Sequence, residues 1–252
     1  MLSTRSGPTP TTPAMRRLLL LLAVPLLAFG FARGTDFIVA AFSGMEVGGT
    51  INGWEPLTLG DADETAYSLV EDGETVVVKA EADDSASGLI RRIPADPNDY
   101  PILAWRWKVE GTVPGGDVSR KRGDDYPARI YVTFDFDPSD LSFGDRLKYR
   151  ALRALGYDDI PVRALNYIWA NKPGETEIVP NAYTDWVQMV PVESGDAHVG
   201  EWRDAERNIL EDYREAFGEE APAITGIAIM SDADNTGKTA TAYFGDIVLR
   251  EE

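Results

Sequence analysis

The sequence lacks cysteine entirely and contains a single histidine, His198, among its 252 residues. Without cysteine the chain can form no disulfide bond, no thiolate metal site and no cysteine nucleophile. His198 lies in a Gly/Asp/Val context, which is typical of a surface residue rather than of a catalytic base. These absences exclude thiol-dependent enzymes and leave carboxylates as the main groups for acid–base chemistry.

Short catalytic motifs are also missing. The sequence has no Gly-x-Ser-x-Gly elbow, no His-Glu-x-x-His helix and no glycine loop of the kind that holds phosphates. A glycosidase needs only two carboxylates at a suitable separation, and the 42 acidic residues leave that chemistry open. The sequence favours a binding protein over an enzyme without deciding between them.

Basic residues are scarce relative to acidic ones. The chain has 24 lysines and arginines against 42 acidic residues, which gives a formal net charge of −18 at pH 7. The acidic residues are spread along the chain, so the field they produce disfavours binding to nucleic acid or to an anionic membrane surface. Two explanations of the charge stay open: solubility in a salty environment, where self-repulsion is screened, or a cationic partner.

Long apolar runs are absent except near the N-terminus. Two arginines precede the apolar run Leu18–Leu27, and the small residues Gly30 and Ala32 follow it. This order is typical of a secretory leader, so residues 1–32 are predicted to be removed on export to the periplasm or beyond, with Met15 as an alternative start. An uncleaved anchor is the alternative, although the run is shorter than the roughly 20 residues of a bilayer span. Membrane contact is then expected only through a retained leader.

After residue 32 the chain has the pattern of many short β-strands. Apolar and polar residues alternate in about ten segments, separated by Gly, Pro and Asp turns. The predicted strands are Phe37–Phe42, Tyr67–Glu71, Thr75–Ala82, Gly88–Ile93, Ile102–Val109, Ala128–Phe136, Leu165–Ala170, Trp186–Val192 and the two runs on either side of the turn Asp232–Gly237. This pattern predicts an antiparallel sandwich or barrel in one domain, residues 33–252.

Two segments have helical periodicity instead. Phe143–Leu155 places Leu147 and Ala151 at helical spacing, and Glu201–Phe217 places an apolar stripe before Gly218, where a helix would end. Both segments are predicted to be helices laid across a sheet or inserted between strands.

Four blocks carry a resemblance to a known family. They are Lys121–Val132, Leu165–Asn171, the pairs Arg207-Asn208 and Asp212-Tyr213, and Ser231–Gly237. In this order they are similar to blocks of the bacterial domain-of-unknown-function family numbered 3047, whose members are mostly exported. The resemblance spans Phe42 to Leu249 and implies relatives, not an activity.

The two ends of the domain resemble a second group. In Ala242–Leu249 aromatic residues are followed by an aspartate and then by aliphatic residues, as in the last strand of galactose-binding-like jelly rolls. The segment from Phe42 to Leu89 is similar to the first strands of the same fold. The resemblance implies a jelly-roll β-sandwich with two inserted α-helices, in a superfamily that contains many carbohydrate-binding modules. Such folds support binding, structural and catalytic roles alike.

The first candidate ligand residues are Asp124, Asp125 and Arg129. Arg129 is expected to be the first outward-facing residue of a strand, where its planar donor fork could hold a carboxylate or sugar hydroxyls. The alternative is that Asp124 or Asp125 pairs with Arg129 and only holds the loop in place.

A second candidate set combines amide and aromatic side chains. Asn166, Trp169 and Asn171 could supply the flat apolar surface and the directional hydrogen bonds that a sugar site needs. Trp169, however, shares a strand face with Leu165 and Tyr167, which favours packing in the core.

Arg203 and Arg207 form a third candidate set. They are four residues apart in the predicted helix and would lie on one face, where they could bind an anion. A solvated helix surface with local ion pairs is the alternative.

The candidate metal ligands are Asp232, Asp234 and Asn235. Their hard oxygen donors lie within one turn and would suit calcium, which is the cofactor the sequence suggests without requiring it. The spacing departs from an EF-hand, because Thr236 replaces an acid or amide and Tyr243 stands where the bidentate acid should be. A hairpin turn without metal is the alternative.

The function predicted from the sequence is non-catalytic binding of a polar ligand, most plausibly a carbohydrate, at the cell envelope or outside the cell. The alternatives are a carboxylate-based glycan hydrolase and a structural envelope protein. A solvent-facing aromatic beside Asn and Arg would favour binding. Two carboxylates facing each other across a cleft would favour hydrolysis, and a featureless convex surface would favour a structural role.

Overall fold

The computed structural model describes residues 36–251, apart from residues 138, 140 and 155–162. The chain divides after Arg33, and Gly34–Glu252 forms one compact unit. The predicted leader, residues 1–32, and the predicted helix end at Leu155 lie outside the described residues. None of the helices in the described ranges is both long and apolar enough to cross a bilayer.

The described residues form two sheets and two α-helices. The strands are β1 Phe37–Ala40, β2 Glu55–Thr58, β3 Ala66–Asp72, β4 Thr75–Asp83, β5 Ala86–Ala95, β6 Ile102–Val109, β7 Arg129–Phe134, β8 Ala164–Ala170, β9 Val179–Pro180, β10 Val187–Ser194, β11 Arg203–Asn208, β12 Ile224–Asp232 and β13 Thr239–Arg250. The helices are α1 Phe143–Ala154 and α2 Ile209–Phe217. Two short 3₁₀ helices span Phe42–Gly44 and Lys121–Gly123.

The first sheet, sheet A, has the strand order β11-β6-β13-β4-β3, with β1 also paired to β13. Sheet B has the order β2-β5-β12-β7-β8-β10-β9. Neighbouring strands in the described residues are antiparallel except β8 and β10, which are parallel. A parallel pair needs a long crossover, and the segment 171–186 with β9 supplies it. The sandwich prediction is confirmed, with this one parallel pair added.

The chain crosses repeatedly from one sheet to the other. Strands β4 and β5, β6 and β7, β10 and β11, and β12 and β13 are consecutive along the chain but belong to opposite sheets. Such crossing is typical of jelly rolls, in which hairpins contribute strands to both sheets. The fold is therefore a mainly-β, antiparallel-rich sandwich of the jelly-roll type with two helices.

Aromatic side chains from both sheets fill the core. Trp105 and Trp107 of β6 point inward, as the alternation of Ile102–Val109 predicts. The ring of Trp105 lies 5.4 Å from that of Tyr167, and the ring of Trp107 lies 6.0 Å from that of Trp169. Trp169 is fully buried, so this candidate ligand residue packs between the sheets and is not part of a binding surface.

Helix α1 has the predicted position, but its apolar stripe does not pack on a sheet. Phe143 is 83% exposed and Leu147 is 63% exposed. The helix is attached by its other side, where the ring of Tyr149 lies 6.1 Å from that of Trp186. The helix is confirmed, but its Leu147–Ala151 stripe faces solvent and is not laid across a sheet.

The second predicted helix begins later than expected. Arg203–Asn208 is strand β11, which pairs with the edge of β6, and α2 begins only at Ile209. Asn208 caps the helix, because its side chain accepts hydrogen bonds from the backbone N–H groups of Leu210 and Glu211. Gly218 ends the helix in the left-handed region at φ 73°, as predicted.

Candidate ligand site at the loop end of sheet B

Three loops meet where β7 begins and β12 ends. They are residues 110–128 before β7, residues 181–186 before β10, and the hairpin 233–238 between β12 and β13. We call the residues that these elements bring together the loop-end site. Its buried floor contains Asp124, Asp125, Arg129, Asn166 and Asp232, and its solvent-accessible rim contains Lys121, Asn181, Tyr183, Asp234 and Asn235.

Arg129 and Asp232 form a buried ion pair at the centre of the floor. The Nε of Arg129 donates to Oδ1 of Asp232 at 2.7 Å, and Nη2 donates to the second carboxylate oxygen. Arg129 also donates to the carbonyl oxygen of Asp124 and, at 3.1 Å, to the hydroxyl of Tyr131. The sequence-based expectations were wrong in two respects: Arg129 is buried, and its carboxylate partner is 103 residues away, not Asp124 or Asp125.

The charge of the guanidinium is maintained by its partner. Burial alone would lower the pKa of Arg129, but Asp232, with smaller contributions from Tyr131, Asp124 and Tyr126, holds the pKa above its ordinary value. A buried charge needs such a partner, because an unpaired ion in a low-dielectric interior costs several kcal/mol. The pair therefore joins the start of β7 to the end of β12 as one ionic unit.

Asp125 does not pair with Arg129; its carboxylate binds the backbone of the hairpin between β12 and β13. Its carboxylate accepts hydrogen bonds from the backbone N–H groups of Asn235, at 3.1 Å, and Thr236, at 2.7 Å. Its carbonyl oxygen accepts from Nδ2 of Asn171 at 2.7 Å, and Oδ1 of Asn171 accepts from the N–H of Val113 at 2.7 Å. Asn171 thus connects β8 to the 110–128 loop, which is a structural role for this candidate ligand residue.

Three carboxylates converge beneath the hairpin. One oxygen each from Asp125, Asp232 and Asp234 lies within 4.8 Å of the other two. The predicted metal set named Asp232 and Asp234 but not Asp125, which only the fold brings to them. Asn235 faces the rim instead, where its Oδ1 accepts from the hydroxyl of Tyr183. Oδ1 of Asp232 already accepts from the N–H of Tyr126 and from Nε of Arg129, and Oδ1 of Asp125 accepts from the N–H and Nδ2 of Asn235. The remaining carboxylate oxygens of the trio keep lone pairs of the type that calcium prefers.

Asp124 is the buried acid beside this trio. Both of its carboxylate oxygens accept from Nδ2 of Asn181, at 3.0 and 2.9 Å. Burial raises the pKa of Asp124 above its ordinary value, and the charge of Asp125 adds to the rise, while Arg129 and Asn181 act against it. Ionising Asp124 therefore costs more free energy in the folded protein than in the unfolded chain.

We expect Asp124→Asn to be more stable than the wild type at pH 7. A carboxyl whose pKa is raised on folding stabilises the native state at low pH and loses that contribution as the pH rises through the folded pKa. Asparagine does not titrate, so the variant's free energy of unfolding lacks this pH dependence. The difference in stability between variant and wild type should therefore shrink as the pH is lowered from 7 towards the ordinary aspartate range. Urea unfolding of both proteins at several pH values measures the difference, and a wild type that is the more stable at pH 7 would contradict the assignment.

Asn166 adds an unused hydrogen-bonding group to the floor. Its Nδ2 lies 3.4 Å from the Sδ atom of Met189, which is also 3.6 Å from Nδ2 of Asn181. Its Oδ1 is buried and has no hydrogen-bond partner among the described residues. Most buried polar atoms have partners, so an exception of this kind calls for a reason.

Tyr183 is the functional candidate that the sequence reasoning missed. It is 47% exposed, and its hydroxyl donates to Oδ1 of Asn235 at 2.6 Å and to the carbonyl oxygen of Lys121 at 3.1 Å. The Nζ of Lys121 lies 5.1 Å from the ring centre. The available signal was Asn181, whose Oδ1 accepts from the N–H of Tyr183 at 2.9 Å in a turn typical of asparagine.

Arg203 and Arg207 lie away from this site, on β11 of sheet A. Arg203 donates to Glu193 at 2.8 Å, and Arg207 donates to Asp212 at 3.0 Å through Nε. Both guanidinium groups are therefore occupied by carboxylates of this chain. The fold does not bring these two candidates together with the other ligand-binding candidates.

Fold and site together define the class: a jelly-roll β-sandwich with a polar, loop-built candidate ligand site at one end of a sheet. The chain belongs to the family described as "Protein of unknown function (DUF3047)", whose model matches residues 52–248. The sequence-based resemblance to this family is confirmed. No curated protein matches the sequence.

Two solved structures are similar to this one at low identity. One is the family 11 carbohydrate-binding module of the cellulosomal cellulase Lic26A-Cel5E of Clostridium thermocellum, with 11% identity, a TM-score of 0.42, and coverage of 86% of this chain and 94% of that one. The other is the glycoside hydrolase domain of Endo-D from Streptococcus pneumoniae R6, with 10% identity and a TM-score of 0.34. That match covers 79% of this chain and 22% of the other. Similarity at this level assigns no role to any residue of this chain.

Proposed function

We propose that this protein is exported and binds a polar ligand of the carbohydrate class at the loop-end site. The observation that carries the proposal is the exposed ring of Tyr183 between Lys121 and Asn235. A sugar presents both an apolar face and hydroxyl groups, so its site needs a flat ring beside directional donors and acceptors. Tyr183 supplies the ring, and the amides of Asn181 and Asn235 and the carboxylate of Asp234 supply polar groups around it.

The floor of the site supports the proposal because it holds the rim in position. The Arg129–Asp232 pair joins β7 to β12, and Asp125 binds the backbone of the hairpin that carries Asn235. The hydroxyl of Tyr183 in turn binds the Asn235 side chain. A rim whose side chains are already oriented loses less conformational entropy on binding, which raises affinity.

Export is the part of the proposal that rests on sequence. The arginine pair and the apolar run Leu18–Leu27 have the order of a secretory leader. An envelope or extracellular location would expose the loop-end site to glycans.

A calcium ion at Asp125, Asp232 and Asp234 belongs to the same proposal. A cation there would offset the mutual repulsion of the three carboxylates. Hydrogen bonds from the hairpin backbone orient Asp125, and Arg129 orients Asp232. Calcium would then order the hairpin that carries Asn235 and so affect the rim. Each binding measurement is therefore made once with calcium and once with a chelator.

We expect Tyr183→Ala to weaken glycan binding at least about tenfold, the effect of removing an aromatic hot spot. Wild type and variant are compared on a panel of immobilised bacterial and plant polysaccharides, followed by calorimetry on any that bind. Tyr183→Phe keeps the ring and should retain most of the affinity. Val47→Ser changes an exposed apolar side chain outside the site's loops and should retain all of it. Binding that survives Tyr183→Ala, or no binding across the panel, would refute the proposal. Release of reducing sugar during the incubation would instead support the hydrolase alternative.

A further inference from the structure

Helix α1 presents an apolar stripe to solvent. Phe143 and Leu147 are four residues apart on one face and are 83% and 63% exposed. They are the two most exposed large apolar side chains in the described part of the chain. Ala151, one turn further along, is exposed as well. Contiguous exposed apolar residues of this kind indicate an interaction surface.

The helix is held in place with this stripe outward. Ser142 precedes its first turn, donates to Oδ2 of Asp145 at 2.6 Å and accepts from the N–H of Asp145 at 3.2 Å, which is a capping arrangement. Tyr149 packs on Trp186. Tyr149 is two residues from Leu147, which places it roughly 200° away around the helix. With this attachment, the Phe143–Leu147 side stays exposed among the residues that the structure describes.

The helix also has the opposite charge to the rest of the protein. Phe143–Ala154 contains four basic residues and one acidic residue, whereas the whole chain has a net charge of −18. Arg146 and Arg150 are exposed and follow Phe143 and Leu147 by three residues, so they border the apolar stripe. An apolar stripe with basic borders is complementary to a surface that is apolar inside and anionic outside.

We propose that α1 is an interfacial helix that docks on an anionic phospholipid surface. A convex helix needs no preformed groove in a bilayer: Phe143 and Leu147 enter the acyl boundary while Arg146 and Arg150 reach the headgroup phosphates. The expected binding is weak and reversible, because one short helix buries little apolar area. The proposal is independent of the loop-end site, and it adds a second route to the membrane beside a retained leader.

Other occupants fit the helix less well. Helix α1 is about 18 Å long and exposes two large apolar side chains. The area that it can bury is therefore smaller than the roughly 800 Å² that each partner buries in a stable protein interface. Pairing of α1 with α1 of a second copy would bring basic side chains together. Docking of α1 on the acidic surface of a second copy would be a head-to-tail contact, which produces a ring or a filament rather than a two-fold dimer.

The net negative charge of the protein predicts an unusual salt dependence. At physiological ionic strength the Debye length is about 8 Å, so acidic residues on distant surfaces are screened while the arginines at the lipid surface are not. At about 0.01 M salt the Debye length is about 30 Å, and the whole acidic protein is repelled. At about 1 M it is about 3 Å, and the arginines are screened too. Binding should therefore be strongest at intermediate salt.

The test is co-sedimentation of the protein, purified as its native host makes it, with lipid vesicles. One set contains phosphatidylglycerol in phosphatidylcholine, and the other contains phosphatidylcholine alone. We expect Phe143→Ser combined with Leu147→Ser to reduce partitioning onto the anionic vesicles at least about tenfold. Arg146→Gln combined with Arg150→Gln should remove the preference for anionic lipid. The matched control, Ile38→Ser with Val47→Ser, changes two side chains that are 56% and 52% exposed elsewhere and should bind as the wild type does.

A retained leader would add its own binding equally to every variant on a given vesicle type, so comparing each variant with the wild type on the same vesicles isolates α1. Equal binding of the wild type and the Phe143/Leu147 variant, or no preference for anionic vesicles, would overturn the proposal. Self-association in sedimentation velocity that is lost in the Phe143/Leu147 variant, without vesicle binding, would also overturn it and assign the stripe to a second copy. The substituted side chains are exposed, so the thermal unfolding curves should match and confirm that each variant is folded.

Discussion

Replacing Arg129 with methionine is expected to lower the free energy of unfolding by about 3–5 kcal/mol. The variant leaves the Asp232 carboxyl 2% exposed and without its cation, so it must either stay charged in the interior or take up a proton. Tyr131 and the carbonyl oxygen of Asp124 lose a donor in the same step. The cost arises mainly from the uncompensated buried carboxylate, because a buried charge that has lost its partner cannot recover its hydration. Urea or thermal unfolding measures the loss.

Two comparisons separate the ion pair from general damage at the site. Arg129→Met combined with Asp232→Leu removes both charges and should recover most of the lost stability, since apolar replacement of a whole buried pair is often neutral. Arg146→Met changes an exposed arginine and should stay within about 0.5 kcal/mol of the wild type. If the single Arg129 variant lost less than about 1 kcal/mol, the pair would not be holding β7 to β12.

Replacing Asp212 with alanine is expected to cost about 2–4 kcal/mol. Asp212 is 4% exposed and accepts from the hydroxyl of Tyr167 at 2.9 Å and from Nε of Arg207 at 3.0 Å. Burial and the charge of Asp212 hold the pKa of Tyr167 well above its ordinary value, so the hydroxyl remains a donor. Removing the acceptor leaves that hydroxyl unpaired in the core and Arg207 without its carboxylate. The network joins β8 to β11 and α2 across the sandwich.

Smaller effects are expected when single partners are changed. Tyr167→Phe should cost about 1 kcal/mol, because Asp212 keeps its bonds to Arg207. Asp204→Ala alters an exposed residue of β11 and should stay within about 0.5 kcal/mol of the wild type. Denaturant unfolding of the three variants ranks them. An Asp212 variant no less stable than Asp204→Ala would mean that Arg207 is not held by this carboxylate, and the anion-binding interpretation of Arg207 would return.

Local patterns predicted most strands because the information for each lies within a few residues. Ile102–Val109 alternates apolar and polar side chains, and β6 has these bounds. Strand β11 was not predicted, because the residues that specify it lie far from it in the chain. Its sequence, Arg203–Asn208, has no run of large alternating apolar residues, and its backbone hydrogen bonds go to the edge of β6, which is about a hundred residues away in the chain. An edge strand of this kind is specified by its neighbour and not by its own pattern.

Helix α1 is a second case in which the local pattern was not sufficient. The period of its apolar residues predicts a helix correctly, but it does not tell which side contacts the protein. The anchoring ring, Tyr149, packs on Trp186 of a distant loop, and the regular stripe of Phe143 and Leu147 is left exposed. Because an exposed stripe and a buried one have the same periodicity, only the tertiary contacts distinguish them.

By itself the sequence determined the class of fold, the helical character of α1 and most strand positions, since these depend on periodicity and turn residues close together in the chain. It also identified Asp124, Asp125, Arg129 and Asp232 as chemically notable residues. Only the tertiary structure decided their partners: Arg129 meets Asp232, Asp125 meets the hairpin, and Asp124 meets Asn181. Such pairs join residues of separate strands and loops, so their geometry follows from sheet order and burial, which no local pattern contains.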